Sequence, residues 1–341
     1  MGIFKLKYLS AILLALAFAS VSNATAVTLG AKSMRCSHQL PPDNHIAKVI
    51  DQWAAEIEML TNNRIDVQIN GANSLVDAPR NAMAVRAGEI ECAFSINSQW
   101  ADSLPLMAVT LEPFALHNVD TLKRWDGSPA AELLNDEIAE LGITNLVWLF
   151  TTWQTAITSK GDFLIAPEDF KGVRIQGLGP HSNAAFEALG AIPVDMSDAD
   201  AVKALKAGDL DAGLTNISSA LSSNFYAVQD HITILPLFAV YYNGYINSEW
   251  LATLPSEYQK AIEEASRKAT LWAIEASEIA AAAVPRLLKE EGVNIHLATA
   301  KEIAALQDIM RPAFNQVFLD RTGDKGKTLL QLMNDLELEM P

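Results

Sequence analysis

Apolar residues at Ile46, Val49, Ile50, Trp53, Ile57 and Leu60 recur at three-and-four spacing, which predicts a helix over 45–60 with one buried face. Strict alternation over 64–69 predicts a half-buried strand after the Asn62-Asn63 turn. With a strand over 27–34, a helix over 79–87 closed by Gly88, and a strand over 89–94, the chain opens β-α-β-α-β. That order predicts a doubly wound α/β lobe, and 143–150 reads as a further buried strand. The rhythm then repeats. Strands over 172–176, 191–194 and 211–214 alternate with helices over 182–189 and 198–207, closed by Gly190 and Gly208. From Pro255 to about Leu288 runs a long stretch rich in Ala, Glu and Lys, where only Pro285 should end or kink the helix. A helix of ~30 residues is about 45 Å long, enough to brace two lobes.

These elements predict two doubly wound α/β lobes around a ligand cleft, braced by a long helix. Lobe 1 takes 27–150 plus about 240–262, lobe 2 takes 151–239 plus about 289–341, and the brace takes about 255–288. In such sheets a ligand sits beyond the carboxyl ends of the strands.

The first 26 residues have a different logic. Lys5 and Lys7 precede an apolar run over 9–19, and Ser22-Asn23-Ala24-Thr25-Ala26 offers a small-residue cleavage site after Ala26, with Ala24 as the alternative. The apolar run is shorter than the ~20 residues of a membrane span. The expectation is a cleaved signal peptide over 1–26 and a mature chain in the periplasm, with no membrane insertion after cleavage. Cys36 and Cys92 then meet an oxidising compartment, where one disulfide or two buried thiols are both open readings.

Composition narrows the function classes. Half of the 341 residues are hydrophobic and 19% are charged, which leaves ample material for a core and excludes a disordered or collagen-like chain. A net charge of −16 repels the phosphate backbone, so no nucleic-acid partner is expected. There is no G-x-S-x-G elbow, and Gly177-Leu178-Gly179 lacks the third glycine of a dinucleotide fingerprint. The histidines are scattered singly without metal spacing. No enzyme, cofactor or metal is expected.

The second half carries a resemblance. Pro167-Glu168-Asp169-Phe170-Lys171-Gly172-Val173-Arg174-Ile175-Gln176 is similar to a P-x-D-[LF]-K-G-x-K-I-R signature. Further matches are Glu187-Ala188-Leu189-Gly190-Ala191 with Pro193-Val194, Ala204-Leu205-Lys206-Ala207-Gly208-Asp209-Leu210-Asp211, Tyr226-Ala227-Val228-Gln229-Asp230 and Arg86-Ala87-Gly88-Glu89-Ile90-Glu91. Together they resemble the periplasmic solute-binding subunits of TRAP (tripartite ATP-independent periplasmic) transporters, DctP type. The resemblance implies a receptor that closes on a small organic acid and delivers it to membrane transport subunits. A monocarboxylate with an apolar or aromatic body is the favoured class. A neutral or zwitterionic solute, or a sensor serving a signalling protein, is the alternative.

In that family an Arg usually forks the ligand carboxylate at the position held here by Gln176, while Arg174 stands where a Lys is usual. Either Arg174 takes over the anion or it turns to solvent; both readings are open, since residues two apart share a strand face. The resemblance further implies ligand contacts from His38, Gln39, Asn97, Gln99, Trp100, Trp153, Lys160, Asp198, Thr215, Asn216, Tyr241 and Tyr242. Asp198 also reads as a simple helix N-terminal acid, and an aromatic cluster such as Phe238, Tyr241 and Tyr242 also reads as core.

Overall fold

The computed structural model describes residues 31–100, 103–116 and 119–338. The expected signal peptide, and the start of the expected first strand, lie outside them.

Along the chain, β1 (Lys32–Ser37), α1 (His45–Leu60), β2 (Ile65–Asn70), α2 (Asn81–Arg86) and β3 (Cys92–Ile96) form the expected opening. Next come α3 (Val119–Lys123), α4 (Pro129–Ala139) and β4 (Ile143–Thr152). The second series is β5 (Thr155–Ser159), β6 (Arg174–Gly177), α5 (Pro180–Ala188), β7 (Ile192–Asp195), α6 (Asp198–Ala207), β8 (Gly213–Asn216), α7 (Ile217–Ser222) and β9 (His231–Leu235). The chain finishes with β10 (Val240–Asn247), α8 (Ser248–Ala252), α9 (Ser256–Glu290), β11 (Asn294–Leu297) and α10 (Ala300–Leu338), the last broken at Gly323.

The first sheet has the order β2-β1-β3-β10-β4. Strands β1, β2 and β3 are parallel, as βαβ crossovers require, but β10 inserts antiparallel between β3 and β4. The second sheet, β11-β9-β5-β8, has β5 antiparallel to both neighbours. The parallel pair β6-β7 extends it, because Ile175 bridges Ala212 just before β8. The sheets are therefore mixed rather than purely parallel. The reversed strands were not legible from local periodicity, which carries no information on strand direction.

Two short links join the sheets: Trp153 and Gln154 between β4 and β5, and 236–239 between β9 and β10. Helix α9 spans both. Its early turns tie to α1, where Trp53 donates its indole N–H to Ser266 (3.0 Å) and Lys268 pairs with Glu56 (2.6 Å). Ser277 donates to the Phe150 carbonyl of β4 at 2.9 Å. Its last turns put Val284 and Leu288 into a cluster with Ile217, Ala220, Ile232 and Ile234 of the second sheet. The helix runs on through Pro285 rather than ending there. Helix α10 is a second tie: Phe314 and Phe318 pack beside His181 of α5, while Arg311 meets the buried Glu112 at 3.4 Å and the Pro113 carbonyl at 3.1 Å. No helix among the described residues is long and apolar enough to cross a membrane.

Cys36 and Cys92 face each other in the β1–β3 register and form a disulfide, which settles the alternative left open by the sequence.

Candidate functional site

Local rules bring one set of polar side chains to the carboxyl edges of both sheets. Gln176 lies near the end of β6, Thr215 near the end of β8, and Asp198 at the first turn of α6, which starts from the same edge after β7. Thr215 donates its hydroxyl to Asp198 Oδ2 at 2.7 Å, and Gln176 donates Nε2–H to Asp198 Oδ1 at 2.8 Å. The Gln176 oxygen accepts from the Leu214 N–H at 3.2 Å, so the amide is oriented from both ends.

From the first sheet, Gln39 follows β1, Gln99 lies in the turn after β3, and Tyr242 of β10 pairs with Ile96 at the end of β3. Gln39 donates to the Tyr242 hydroxyl at 2.9 Å, and Gln99 donates to the Gln39 oxygen. The two groups feel each other: burial pushes the Tyr242 hydroxyl pKa up, and the charge of Asp198 adds to that rise. Asp198 itself is pushed up by burial, which the hydrogen bonds from Thr215 and Gln176 only partly oppose. No Lys or Arg pairs with it among the described residues.

His38 is buried at the end of β1, and burial lowers its pKa to about 4. Its Nδ1 accepts the Leu40 N–H at 3.1 Å, so the neutral ring carries its proton on Nε2. Asn97 is fully buried, and neither of its amide atoms has a partner.

The other expected residues either lie away from this cluster or are held by other partners. Arg174 begins β6, at the amino edge, where its guanidinium forks Asp211 at 2.9 and 2.6 Å and donates to the Gly208 carbonyl at 2.8 Å. It shares a strand face with Gln176, but two residues nearer the wrong end. Lys160 follows β5, whose antiparallel direction carries it to the amino edge of β8. There it lines a surface cavity of about 340 Å³ with Lys206 and Tyr226, apart from the polar cluster. Asn216 caps α7, accepting the Ser219 N–H at 2.8 Å. Trp100 donates its indole N–H to Asn243 at 2.9 Å and packs edge-on to Tyr245. Tyr241 stacks on Trp125 within the core, as the second reading of that aromatic cluster held, and Phe238 is buried beside Phe186. Trp153 sits half-buried in the link between the sheets. Sequence reasoning missed the Met196 carbonyl, which accepts from Gln176 at 3.4 Å, and Gln154, whose buried oxygen is unpartnered. A main-chain acceptor leaves no trace in residue identity.

Two α/β sheets with their carboxyl edges turned to one polar cluster, joined by short links and braced by one helix, define a two-lobed solute-binding protein. The chain belongs to the bacterial extracellular solute-binding protein family 7, DctP, whose model matches residues 36–320. It is 23% identical over 292 residues to the C4-dicarboxylate-binding periplasmic protein DctP of Rhodobacter capsulatus, covering 83% of this chain and 86% of that protein. Its fold is similar to that of DctP7, a Bordetella pertussis extracytoplasmic solute receptor binding pyroglutamic acid, with a TM-score of 0.81 and 20% identity over 89% of this chain and 100% of that one. It is likewise similar to a TRAP periplasmic solute-binding protein from Desulfovibrio salexigens with bound orotic acid, with a TM-score of 0.84 and 20% identity over 89% and 98% of the two chains. Proteins of this family are receptors rather than enzymes, and membership supports a periplasmic location.

Proposed function

We propose that this chain, exported through a cleaved signal peptide, is a TRAP receptor that takes a neutral or zwitterionic polar solute and hands it to membrane transport subunits. One observation carries the choice of solute: Gln176, not an arginine, stands at the carboxyl edge of β6, and the nearby Arg174 is committed to Asp211. A simple acid would meet the Asp198 carboxylate and find no guanidinium fork to offset it. Gln99 and Asn97 instead have unpartnered amide atoms that offer neutral hydrogen bonds, to which a solute can add contacts from both lobes. Such contacts favour closure over the open form by differential affinity.

The acids bound by the two structural neighbours support the rival reading, in which an acid is taken here as well. Thermal-shift screening of the purified chain against acids, zwitterions and polyols separates the two. A true ligand at 100 times its Kd stabilises by ~2.7 kcal/mol. Binding of succinate or pyroglutamate in preference to every neutral or zwitterionic compound would sink the proposed solute class, and recovery of a chemically altered solute would sink the receptor reading.

A further inference from the structure

We infer that the solute carries a cationic nitrogen, received by the Asp198 carboxylate. This rests on the receptor reading above and narrows its ligand.

The carboxylate is not there to cap its own helix. Ser197 does that, accepting the Asp200 N–H at 3.3 Å, while Asp198 turns to Thr215 and Gln176 on the neighbouring strands. A carboxylate has about four lone-pair sites, and two neutral donors leave acceptor capacity unused. It stands at the functional edge with no basic side chain paired to it, whereas Arg174 is bound to an acid at the opposite edge. An enclosed charge of this kind is costly until it meets an opposite one, and a charged N–H donor is its strongest partner.

The surroundings hold further polar atoms without a partner. The buried oxygen of Gln99 is unpartnered, and the fully buried Asn97 amide is unpartnered at both atoms. The Tyr242 hydroxyl, close enough to feel the Asp198 charge, accepts from Gln39 and keeps its own O–H for a solute acceptor. The Asp198 carboxylate supplies the acceptor for an ammonium, and the Tyr242 hydroxyl, the Asn97 amide N–H and the His38 Nε2–H are donors for a second polar group of the solute. This set suits a dicarboxylate poorly.

Two matched probe pairs test the inference by calorimetry on the full mature chain. L-proline and pyroglutamate share a carboxylate on a five-membered ring, with a cationic amine in the first and a neutral lactam in the second. Choline and 3,3-dimethylbutan-1-ol share a shape and differ in charge. In at least one pair the cationic member should bind about 100-fold tighter than its match, the scale of one desolvated charge pair. Asp198→Asn, which keeps the side-chain shape, should compress that ratio to within about threefold. Asp198→Ser gives the same reading independently of how an asparagine amide packs. The inference is overturned if pyroglutamate and 3,3-dimethylbutan-1-ol, which lack a cationic nitrogen, bind as well as their matches. It is also overturned if Asp198→Asn and Asp198→Ser both leave the ratio of a discriminating pair unchanged, a result that would leave a working receptor whose charge preference is set elsewhere.

Discussion

Cys36 and Cys92 stand opposite each other on neighbouring parallel strands, their Cα atoms 4.5 Å apart and their sulfurs joined. The bond closes a loop between residues 56 apart in sequence, inside the first sheet and just ahead of Gln39 and Gln99. Replacing both cysteines by alanine should cost about 2–4 kcal/mol. Urea midpoints of the wild type, with and without reductant, check this. A reduced protein as stable as the oxidised one would remove the disulfide from the account.

The Arg174 fork on Asp211 is a surface feature, with side chains 41% and 44% exposed. Arg174→Ala should therefore leave solute affinity within about twofold and shift the denaturation midpoint only slightly, as exposed pairs do. Calorimetry with any ligand found by screening decides it. A tenfold loss would return Arg174 to the site.

Restoring the guanidinium the family resemblance leads one to expect has a conditional outcome. In Gln176→Arg the new cation meets Asp198 first, so the single variant should show no thermal shift with succinate or pyroglutamate. In Gln176→Arg with Asp198→Asn the fork is free to hold an acid, and a shift should appear. Equal responses from the two variants would show that Asp198 does not control the charge of the site.

Stability should fall in mild acid. His38 and His181 are held neutral by burial, with pKa values lowered from 6.5 to about 4, so the unfolded chain takes up their protons first. Stability is then complete above about 6.5 and lost as the pH falls towards about 4. Asp198 acts the other way: its raised pKa favours the folded acid, a contribution present below 3.8 and withdrawn as the pH rises through the raised value. Melting curves between pH 4 and 7, compared with a His38→Gln, His181→Gln double variant, should show a flatter slope in the variant. An unchanged slope would mean that other groups set the acid limit.

Much of the architecture was legible because helical periodicity and caps are local signals. The helices over 45–60 and 198–207 match α1 and α6 to the residue. Over the described residues the opening strand runs past its expected end at 34, since β1 continues to Ser37. The reversed strands escaped notice, and with them the edge on which a residue ends: the antiparallel run of β5 removed Lys160, and a two-residue offset along β6 separated Arg174 from Gln176. Asp198 was visible as a candidate. Its partnership with Thr215 and Gln176 was not, because it joins three elements distant in sequence.

The way the sheets are joined has a mechanical consequence. Trp153 and Gln154, the 236–239 segment and the rod of α9 all run between the same two bodies. Together with α10, these connections restrict how the two bodies can move against each other. Contacts made by a solute to both bodies then bear on their relative position. In the receptor role proposed above, that is the quantity a membrane subunit would read from the outer surface without touching the molecule inside.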